Sequence, residues 1–285
     1  MKVGNMKIIY QPAGKAREYS PLAANLYTGC GHKCSYCYVP GVTKVDRTTF
    51  DTVVNERRSV IEQLRRDAES IRGSRQQVFM SFTTDPYNPV NNEAKLTRQA
   101  LLIFLENRIP VSILTKSGLA AMQDLDLFKM FGDHIKIGAS LTYDNDADSQ
   151  RIESGAALPG ERLEMLRQLH DAGVRTWVSF EPMMQPRQTL NLMHASLKYV
   201  SEYQFGKLAD DKRVFDWNAI VSEIVNTLRP AGIPFYIKHT LREAASRVSF
   251  YPYEREMDYL TLPPFPADYQ PLNAPQAPEE QPSLF

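Results

Sequence analysis

All three cysteines of the 285-residue chain lie in the segment TGCGHKCSYCYVP, residues 28–40. Cys30, Cys34 and Cys37 have the spacing C-x3-C-x2-C, so one short loop carries three thiols. Thiolates bind zinc and iron–sulfur clusters, and both kinds of site commonly use four protein ligands. The sequence therefore raises the question of what completes a set of three.

Three interpretations account for this loop. The cysteines together with His32 would form a Cys3His zinc site, but His32 lies between the first two cysteines, too close for a relaxed tetrahedron. The cysteines could instead be small core residues, although the segment around them is polar and rich in glycine. The third interpretation is an iron–sulfur cluster with one iron left free to chelate the amine and carboxylate of a small molecule. Gly29 and Gly31 would let the backbone approach its sulfurs.

Polar and charged side chains also stand at the ends of the apolar segments that are predicted as strands. They are Thr84, Asp85, Thr115, Lys116, Ser140, Thr142, Glu181, Lys238 and His239. In a parallel α/β barrel, the carboxyl ends of the strands meet on one face, and that face carries the active site. Lys, Asp and Glu at such a mouth cost free energy unless they pair or meet a ligand. A site explains the whole series better than separate helix caps and surface charges do.

The elements that must position these residues follow from the hydrophobic pattern. Strands are predicted over residues 22–28, 78–83, 111–115, 135–141, 176–180, 203–205 and 235–238. Helices are predicted over about 52–71, 94–107, 120–131, 161–172, 189–200 and 217–228. This alternation predicts an α/β fold with right-handed crossovers, a partial (β/α)6-type TIM-like barrel. A doubly wound open sheet is the alternative, although no G-x-G-x-x-G motif follows the first strand.

The composition is typical of a globular protein, with 43% hydrophobic and 23% charged residues. The first 20 residues contain no apolar run long enough for a signal peptide or a membrane span. An odd number of cysteines argues against a disulfide framework. We therefore expect a cytoplasmic protein with reduced thiols and no membrane partner.

The chain is divided by composition into three parts. Residues 1–20 are predicted as a lead-in, residues 21–250 as the barrel, and residues 251–285 as a C-terminal extension. From about Leu262 this extension is rich in Pro and Gln, which predicts a disordered tail. The tail ends in QPSLF, Gln281 to Phe285, which resembles the short peptides that dock bacterial replication and repair proteins on the sliding clamp; a frayed terminus is the alternative.

The net charge is zero, but the charges are unevenly distributed. Residues 1–75 carry 13 Lys and Arg against 7 Asp and Glu. A basic region around the cysteine loop favours an anionic substrate. The simpler interpretation, which applies to most of these arginines, is the solvated face of an amphipathic helix.

The motif CGHKCSYC resembles the signature of the radical S-adenosylmethionine (SAM) superfamily. The resemblance covers most of residues 20–245 and is closest to the spore photoproduct lyase-like branch, often called DNA repair photolyase-like proteins. The segments that carry it are CSYCY, TTDPYNP, LTKSG, GASLTYD and GERLEMLRQLHDAG. It implies a 4Fe-4S cluster and SAM as cofactors. In that family a reduced cluster cleaves SAM to a 5′-deoxyadenosyl radical, which abstracts a hydrogen atom from the substrate.

The resemblance also implies roles for individual residues. The cluster ligands would be Cys30, Cys34 and Cys37. The SAM contacts would be Thr84 and Asp85 at the methionyl end, Lys116 at the carboxylate and Ser140 at the ribose hydroxyls. An ammonium suits a carboxylate, and a hydroxyl suits a diol. Further candidates for cofactor or substrate contact are Glu181 and Lys238.

One position departs from the lyase pattern. The lyase returns a hydrogen atom to its product radical through a cysteine at the end of the second strand, assisted by two tyrosines near the cluster. Tyr36 and Tyr38 match those tyrosines, but the cysteine position holds Phe82. Either a tyrosine donates the hydrogen directly, or the substrate and the outcome differ from those of the lyase.

The function expected from these features is a radical SAM enzyme that abstracts a hydrogen atom from DNA, in repair or modification. A peptide or tRNA substrate is the first alternative, and a non-catalytic zinc-binding adaptor is the second. The implied partners are a nucleic acid, the sliding clamp and a one-electron reductant such as a flavodoxin or ferredoxin.

Overall fold

The computed structural model describes residues 7–80, 82–209 and 211–269. The strands in this part of the chain are β1 Ile9–Tyr10, β2 Leu22–Ala24, β3 Tyr27–Thr28, β4 Asn55–Glu56, β5 Val78–Met80, β6 Val111–Thr115, β7 Ile135–Ser140, β8 Arg175–Phe180, β9 Tyr203–Phe205 and β10 Phe235–Ile237. One sheet has the order β1-β2-β5-β6-β7-β8-β9-β10. Its strands from β2 onward are parallel, and only β1 pairs antiparallel. The predicted α/β partial barrel is confirmed.

Eleven α-helices lie in the described part of the chain, and the longer ones pack on the outer face of this sheet. They are α1 Val39–Thr43, α2 Arg47–Thr52, α3 Val60–Ser70, α4 Asn91–Ala94, α5 Leu96–Glu106, α6 Leu125–Phe131, α7 Asp146–Ile152, α8 Pro159–Asp171, α9 Pro186–Ser196, α10 Trp217–Leu228 and α11 His239–Ala244. The outward residues of the strands, such as Ile113, Ile137 and Val178, are fully buried in the main hydrophobic core. No helix within the described ranges is long and apolar enough to cross a membrane.

Two predicted elements near the cysteine loop were wrong in their bounds. The predicted strand 22–28 is two strands, because the chain turns at Asn25, whose side chain accepts from the Thr83 N–H at 2.9 Å. The second piece, β3, leaves the main sheet and pairs antiparallel with β4. The helix predicted from residue 52 begins at Val60, since residues 55–56 are extended in that pairing. This small second sheet leads directly into the cysteine loop.

The main sheet is open between β1 and β10, and the N-terminal segment covers the opening. A 3-10 helix, Gly14–Glu18, lies there. The Glu18 carboxylate accepts from the Tyr236 hydroxyl at 2.9 Å and from the His239 N–H at 2.8 Å, at the start of α11. The following residue, Tyr19, extends its ring into the barrel, where it packs 5.2 Å from the ring of Phe79.

The interior of the barrel is aromatic. The residues that fill it are Phe79, Leu114 and Trp177, packed against Tyr19 and Phe82. Trp177 lies across β7 and donates its indole N–H to the Ile113 carbonyl at 3.0 Å. A β-carbon on Gly138 would lie 2.5 Å from that ring, so only glycine fits beneath it. The barrel is therefore a packed core rather than a pore.

The end of the barrel opposite the strand carboxyl ends holds a buried ion pair. Lys136 Nζ lies 2.7 Å from Glu202 Oε1 and donates to the Leu260 carbonyl, also at 2.7 Å. Both charged side chains are at most 1% exposed. The chain segment around the 3-10 helix Met257–Leu260 therefore closes this end of the barrel.

The prediction of a disordered tail from Leu262 is wrong for residues 262–269. The Leu262 N–H donates to Gln77 Oε1 at 3.0 Å. Phe265 stacks on His134 with ring centroids 4.0 Å apart, and the Tyr269 hydroxyl donates to the Met130 carbonyl. Apolar anchors at three positions outweigh the Pro-rich composition. The clamp-like peptide, residues 281–285, lies outside the described residues.

The buried pair predicts a large loss of stability when one partner is removed. Glu202→Gln leaves Lys136 charged without its counter-ion, so the free energy of unfolding should fall by about 3 kcal/mol. Denaturant unfolding measures this loss. The matched control is Glu106→Gln, because the pair of Glu106 with Arg65 is exposed and 3.4 Å long; its effect should stay under about 1 kcal/mol. Equal effects of the two variants would contradict a buried pair.

Candidate active site

The cysteine loop is held by backbone contacts to α2. The Cys30 N–H donates to the Phe50 carbonyl at 2.9 Å. The guanidinium of Arg47 donates to the carbonyls of Cys34 and Cys37, the latter at 3.1 Å. These contacts leave the three thiols as half-buried free cysteines on one loop. The backbone of the loop is therefore held in part by α2.

Two glycines allow the loop to pack closely on its neighbours. Gly29 has φ +75°, and a β-carbon there would lie 2.1 Å from the Val53 carbonyl oxygen. On the other side, a β-carbon on Gly155 would lie 2.0 Å from the Gly31 carbonyl oxygen. The first contact explains why Gly29 is glycine, since other residues rarely adopt this φ.

The thiols are protonated at neutral pH when nothing is bound to them. Burial raises the pKa of Cys30 to about 11, and the Asp85 charge adds to the effect. Burial raises the pKa of Cys34 to about 12, although Lys116 opposes it, and burial also raises the pKa of Cys37. Ligation as thiolates thus requires a strongly cationic group that outweighs burial, as a metal cluster does.

His32 is bound to the barrel. Its Nε2 lies 3.0 Å from Asp85 Oδ2, and its Nδ1 lies 3.1 Å from the Gly155 carbonyl. With both ring nitrogens engaged and the side chain 5% exposed, His32 is not placed to complete a zinc site with the cysteines. Sequence reasoning considered this histidine only as a metal ligand, and the pairing with Asp85 was missed.

The carboxylate of Asp85 is saturated by protein donors. Oδ1 accepts from Thr115 Oγ1 at 2.8 Å and from Ser117 Oγ at 3.1 Å, and Oδ2 accepts from the Lys116 N–H at 2.7 Å. Burial is the largest single influence and opposes ionisation, but His32 and the hydrogen bonds from the Lys116 N–H and Thr115 together lower the pKa of Asp85 to about 2. Asp85 thus ties the cysteine loop to the end of β6, and its side chain has little capacity left for a ligand.

Thr84 and Ser140 differ from Asp85, because their hydroxyls are available. Thr84 Oγ1 is buried and has no hydrogen-bond partner in the described part of the chain. Ser140, the last residue of β7, is 5% exposed, and its carbonyl accepts from Arg162 Nη1 at 2.9 Å. A buried hydroxyl without a partner is uncommon, and the Thr84 side chain lines a small cavity with Leu26, Met80 and Pro86.

Glu153 joins the loop to the ends of β6 and β7. Its Oε1 accepts from the Tyr36 hydroxyl and, at 3.0 Å, from Thr142 Oγ1. Lys116 Nζ lies 3.8 Å from the same oxygen, and Arg162 Nη2 lies 2.7 Å from Oε2. Sequence reasoning missed Glu153 and Arg162, because one follows a short helix, the other lies within a helix, and neither stands at a strand end.

The charge state of this cluster follows from its contacts. Burial opposes ionisation of Glu153, but Lys116 and Arg162 outweigh it and hold the pKa of its carboxyl below the usual range. Burial and then the charge of Glu153 raise the pKa of Tyr36 well above its usual value. Glu153 is therefore an anion, and Tyr36 is a neutral donor to it.

The two tyrosines of the loop have different surroundings. The Tyr36 hydroxyl points inward to Glu153, whereas Tyr38 is 59% exposed. The Tyr38 hydroxyl donates to the Phe82 carbonyl at 3.4 Å. Phe82 itself belongs to the aromatic interior, with its ring centroid 4.5 Å from that of Phe79. Tyr38 therefore lies beside Phe82, the residue that the sequence resemblance predicts at the cysteine position of the lyase.

Glu181 and Lys238 form a second polar cluster at the mouth of the barrel. Glu181 Oε2 accepts from Lys238 Nζ and from the Tyr19 hydroxyl. The Lys238 ammonium lies 3.3 Å from the centroid of the Tyr19 ring, and the Tyr19 hydroxyl lies 3.0 Å from Ser179 Oγ. Burial lowers the pKa of Lys238, while Glu181 opposes the change. This pair sits directly on the aromatic interior.

The predicted residues thus fall into two groups at one end of the sheet. The first group lies around the cysteine loop and contains Cys30, Cys34, Cys37, Tyr36, Asp85, Lys116 and Ser140. Thr84 precedes Asp85 in the chain, but its hydroxyl has no partner among the described residues. The second group is Glu181 and Lys238. Tyr38 lies against Phe82, at the edge of the aromatic interior.

Comparison with known proteins agrees with this geometry. The sequence model of the radical SAM superfamily matches residues 24–200, more than half of the chain. The chain belongs to the radical SAM superfamily. Its cofactors are accordingly a 4Fe-4S cluster and SAM, and the three-thiol loop and the buried hydroxyls are donors of the kind that these groups need.

Similar sequences come from distant organisms. An uncharacterized protein of Methanocaldococcus jannaschii is 28% identical over 161 residues, 56% of this chain and 59% of that protein. An uncharacterized protein of Mycobacterium tuberculosis is 28% identical over 166 residues, covering 56% and 48%. An uncharacterized protein of Acidianus two-tailed virus is 30% identical over 199 residues, covering 66% and 63%. The chain spans about half to three fifths of the length of these relatives.

Solved structures show the same fold at low identity. Spore photoproduct lyase complexed with dinucleoside spore photoproduct has a TM-score of 0.58 at 13% identity, covering 84% of this chain and 80% of the lyase. Streptococcus suis SuiB bound to SAM has a TM-score of 0.57 at 13% identity, covering 81% and 54%. SuiB bound to the precursor peptide SuiA has a TM-score of 0.59 at 11% identity, covering 81% and 53%.

The close approach at Gly29 predicts that its replacement impairs the cysteine loop. Gly29→Ala forces a β-carbon against the Val53 carbonyl at positive φ, so the loop must shift at a cost of about 1–3 kcal/mol. Anaerobic reconstitution should then give less bound iron per chain, measured by iron content and cluster absorbance. Gly41→Ala in α1 is the control, because nothing lies within 4 Å of its β-carbon. Full iron content in Gly29→Ala would contradict the prediction.

Proposed function

We propose that the enzyme abstracts a hydrogen atom from a base of DNA, in repair or modification. The observation that carries the proposal is the floor of the barrel mouth. It consists of aromatic rings, including Phe82 and Tyr19, with the amine–carboxylate pair of Lys238 and Glu181 at its edge. A flat base stacks on aromatic faces, and its polar edge is read by hydrogen-bonding groups.

The chain's own residues divide the work of holding the cofactors. Cys30, Cys34 and Cys37 would hold the cluster, and Lys116 would pair with the carboxylate of SAM. The hydroxyls of Thr84 and Ser140 would bind its methionyl and ribose groups. When bound, the cluster and SAM together supply the radical that takes a hydrogen atom from the substrate. The aromatic interior excludes water beneath this reaction.

Tyr38 is the residue best placed to return a hydrogen atom to the product radical. It is exposed and lies against Phe82, whereas the Tyr36 hydroxyl is occupied by Glu153. In this step the Tyr38 O–H bond breaks and a C–H bond forms on the product. The tyrosyl radical left behind takes one electron from the low-potential reductant and one proton from solvent.

The charge distribution supports both partners in this scheme. The first 75 residues, which include the cysteine loop, carry a net excess of basic residues. DNA and acidic one-electron carriers are both attracted to such a surface. Lys33 and Lys44 in this region are exposed. The likeness to spore photoproduct lyase, which was solved with a dinucleoside lesion, further favours a DNA base.

A peptide substrate is the second candidate. SuiB has the same fold and was solved with its precursor peptide. The barrel mouth described above favours a flat ring with a polar edge over an extended peptide. The substrate assay separates the two candidates directly.

The decisive assay is reductive cleavage of SAM with label transfer. The anaerobically reconstituted protein should form 5′-deoxyadenosine when reduced, and Cys34→Ala should form none, because one cluster ligand is lost. Deuterium from base-labelled, UV-irradiated DNA should appear in the 5′-deoxyadenosine, measured by mass spectrometry. Deuterium from labelled peptide or tRNA instead would contradict the DNA assignment but leave the enzyme class intact.

The proposed role of Tyr38 predicts an isotope pattern in the product. The phenolic hydrogen exchanges with solvent, so product formed in D2O should carry deuterium. Tyr38→Phe should retain cleavage of SAM but yield at least about tenfold less deuterated product, since no O–H remains at that position. The comparison variant is Tyr36→Phe, which removes a contact to Glu153 and should keep the deuterium pattern. Undiminished deuterated product from Tyr38→Phe would exclude it as the donor.

A further inference from the structure

The main chain around Glu153 contacts the middle of the cysteine loop. Cys34 and Glu153 form an isolated antiparallel bridge, and the Ser35 N–H donates to the Ile152 carbonyl at 2.9 Å. The segment after α7 therefore packs against the loop as a short strand would. Because of this bridge, a shift of the Glu153 backbone would also displace Cys34.

The side chain of Glu153 reaches three further elements. It accepts from Tyr36 on the loop and from Thr142 beyond β7. Arg162 of α8 pairs with its other oxygen at 2.7 Å. Glu153 and Arg162 are each at most 1% exposed, so this carboxylate is fixed in one orientation. A fixed anion is able to orient a flexible cation beside it.

Lys116 is that cation. Its Nζ lies 3.8 Å from Glu153 Oε1 and 5.8 Å from the centroid of the Tyr36 ring. The side chain is 14% exposed, so the ammonium is accessible at the site while two groups from other elements hold it. A lysine side chain loses considerable rotamer entropy on being fixed. If Glu153 already restrains the Lys116 side chain before SAM binds, less rotamer entropy is lost when SAM binds.

We propose that Glu153 is a positioning residue that holds Lys116 for the carboxylate of SAM and couples it to the cysteine loop. Arg162 forms an ion pair with Oε2 of Glu153, whereas Oε1 is shared among Tyr36, Thr142 and Lys116. The carboxylate of Glu153 thus contacts both the cysteine loop, through Tyr36, and the side chain of Lys116. The inference rests on the proposed pairing of Lys116 with the cofactor carboxylate.

A double-mutant cycle tests the inference. The proteins are wild type, Glu153→Gln, Lys116→Met and the double variant, each as the full chain reconstituted anaerobically and kept unreduced. The probes are SAM and decarboxylated SAM, which lacks only the carboxylate. Calorimetry gives the ratio of their dissociation constants, which reports recognition of the carboxylate separately from general loss of binding.

The expected result is specific to this ratio. Glu153→Gln should reduce the preference for SAM about tenfold, and in the Lys116→Met background it should have no further effect. The control is Glu164→Gln on the exposed face of α8, which removes the same charge and should leave the ratio unchanged. Equal weakening of both probes by Glu153→Gln, or additive losses in the double variant, would overturn the positioning role.

Two further comparisons keep the outcome interpretable. An unchanged ratio in Lys116→Met alone rejects the pairing of Lys116 with the carboxylate, and the inference falls with it, whereas SAM cleavage by the wild type still tests the enzyme class. Glu153→Gln leaves Arg162 without its counter-ion and can prevent folding. In that case Glu153→Gln with Arg162→Met removes both buried charges together, and the same ratio is measured.

Discussion

Two ionised carboxylates determine where the cysteine loop lies. Asp85 binds His32 of the loop and the backbone N–H of Lys116, and Glu153 binds Tyr36 of the loop and the Lys116 side chain. A buried carboxylate is costly unless its oxygens are satisfied. Both therefore require the loop and the end of β6 to meet in one arrangement. The placement of the three thiols above the strand ends depends on these contacts.

The remaining parts of the barrel fill its interior and close its far end and its open side. The aromatic interior occupies the space beneath the loop, and the Lys136–Glu202 pair with the C-terminal segment closes the far end. The open side of the sheet is covered by residues 14–19, and Tyr19 from this segment completes the cluster with Glu181 and Lys238. This arrangement suits a small flat group entering from the loop side.

Much of the fold and part of the site follow from local sequence. Alternation of apolar strands with helical segments predicts the parallel sheet, and β6, β9 and the helix Trp217–Leu228 have the predicted bounds. The predictions of secondary structure and disorder were wrong where contacts between residues distant in sequence determine the conformation. Residues 25–28 leave the sheet because Asn25 binds Thr83. Residues 262–269 are held by a hydrogen bond from Leu262 to Gln77 and by stacking of Phe265 on His134. Neither partner is visible in the local pattern.

The sequence by itself determined the superfamily and its cofactors, because the motif CGHKCSYC and residues 24–200 match the radical SAM superfamily. Strand-end positions predict that Lys116, Ser140 and Lys238 belong to the site, since parallel strands bring their carboxyl ends together. Only the tertiary structure decided which side chains are free for a ligand. Asp85 is saturated, Tyr36 is occupied, and the hydroxyl of Thr84 has no partner among the described residues. These differences depend on partners such as Glu153 and His32, whose contacts cross from one element to another.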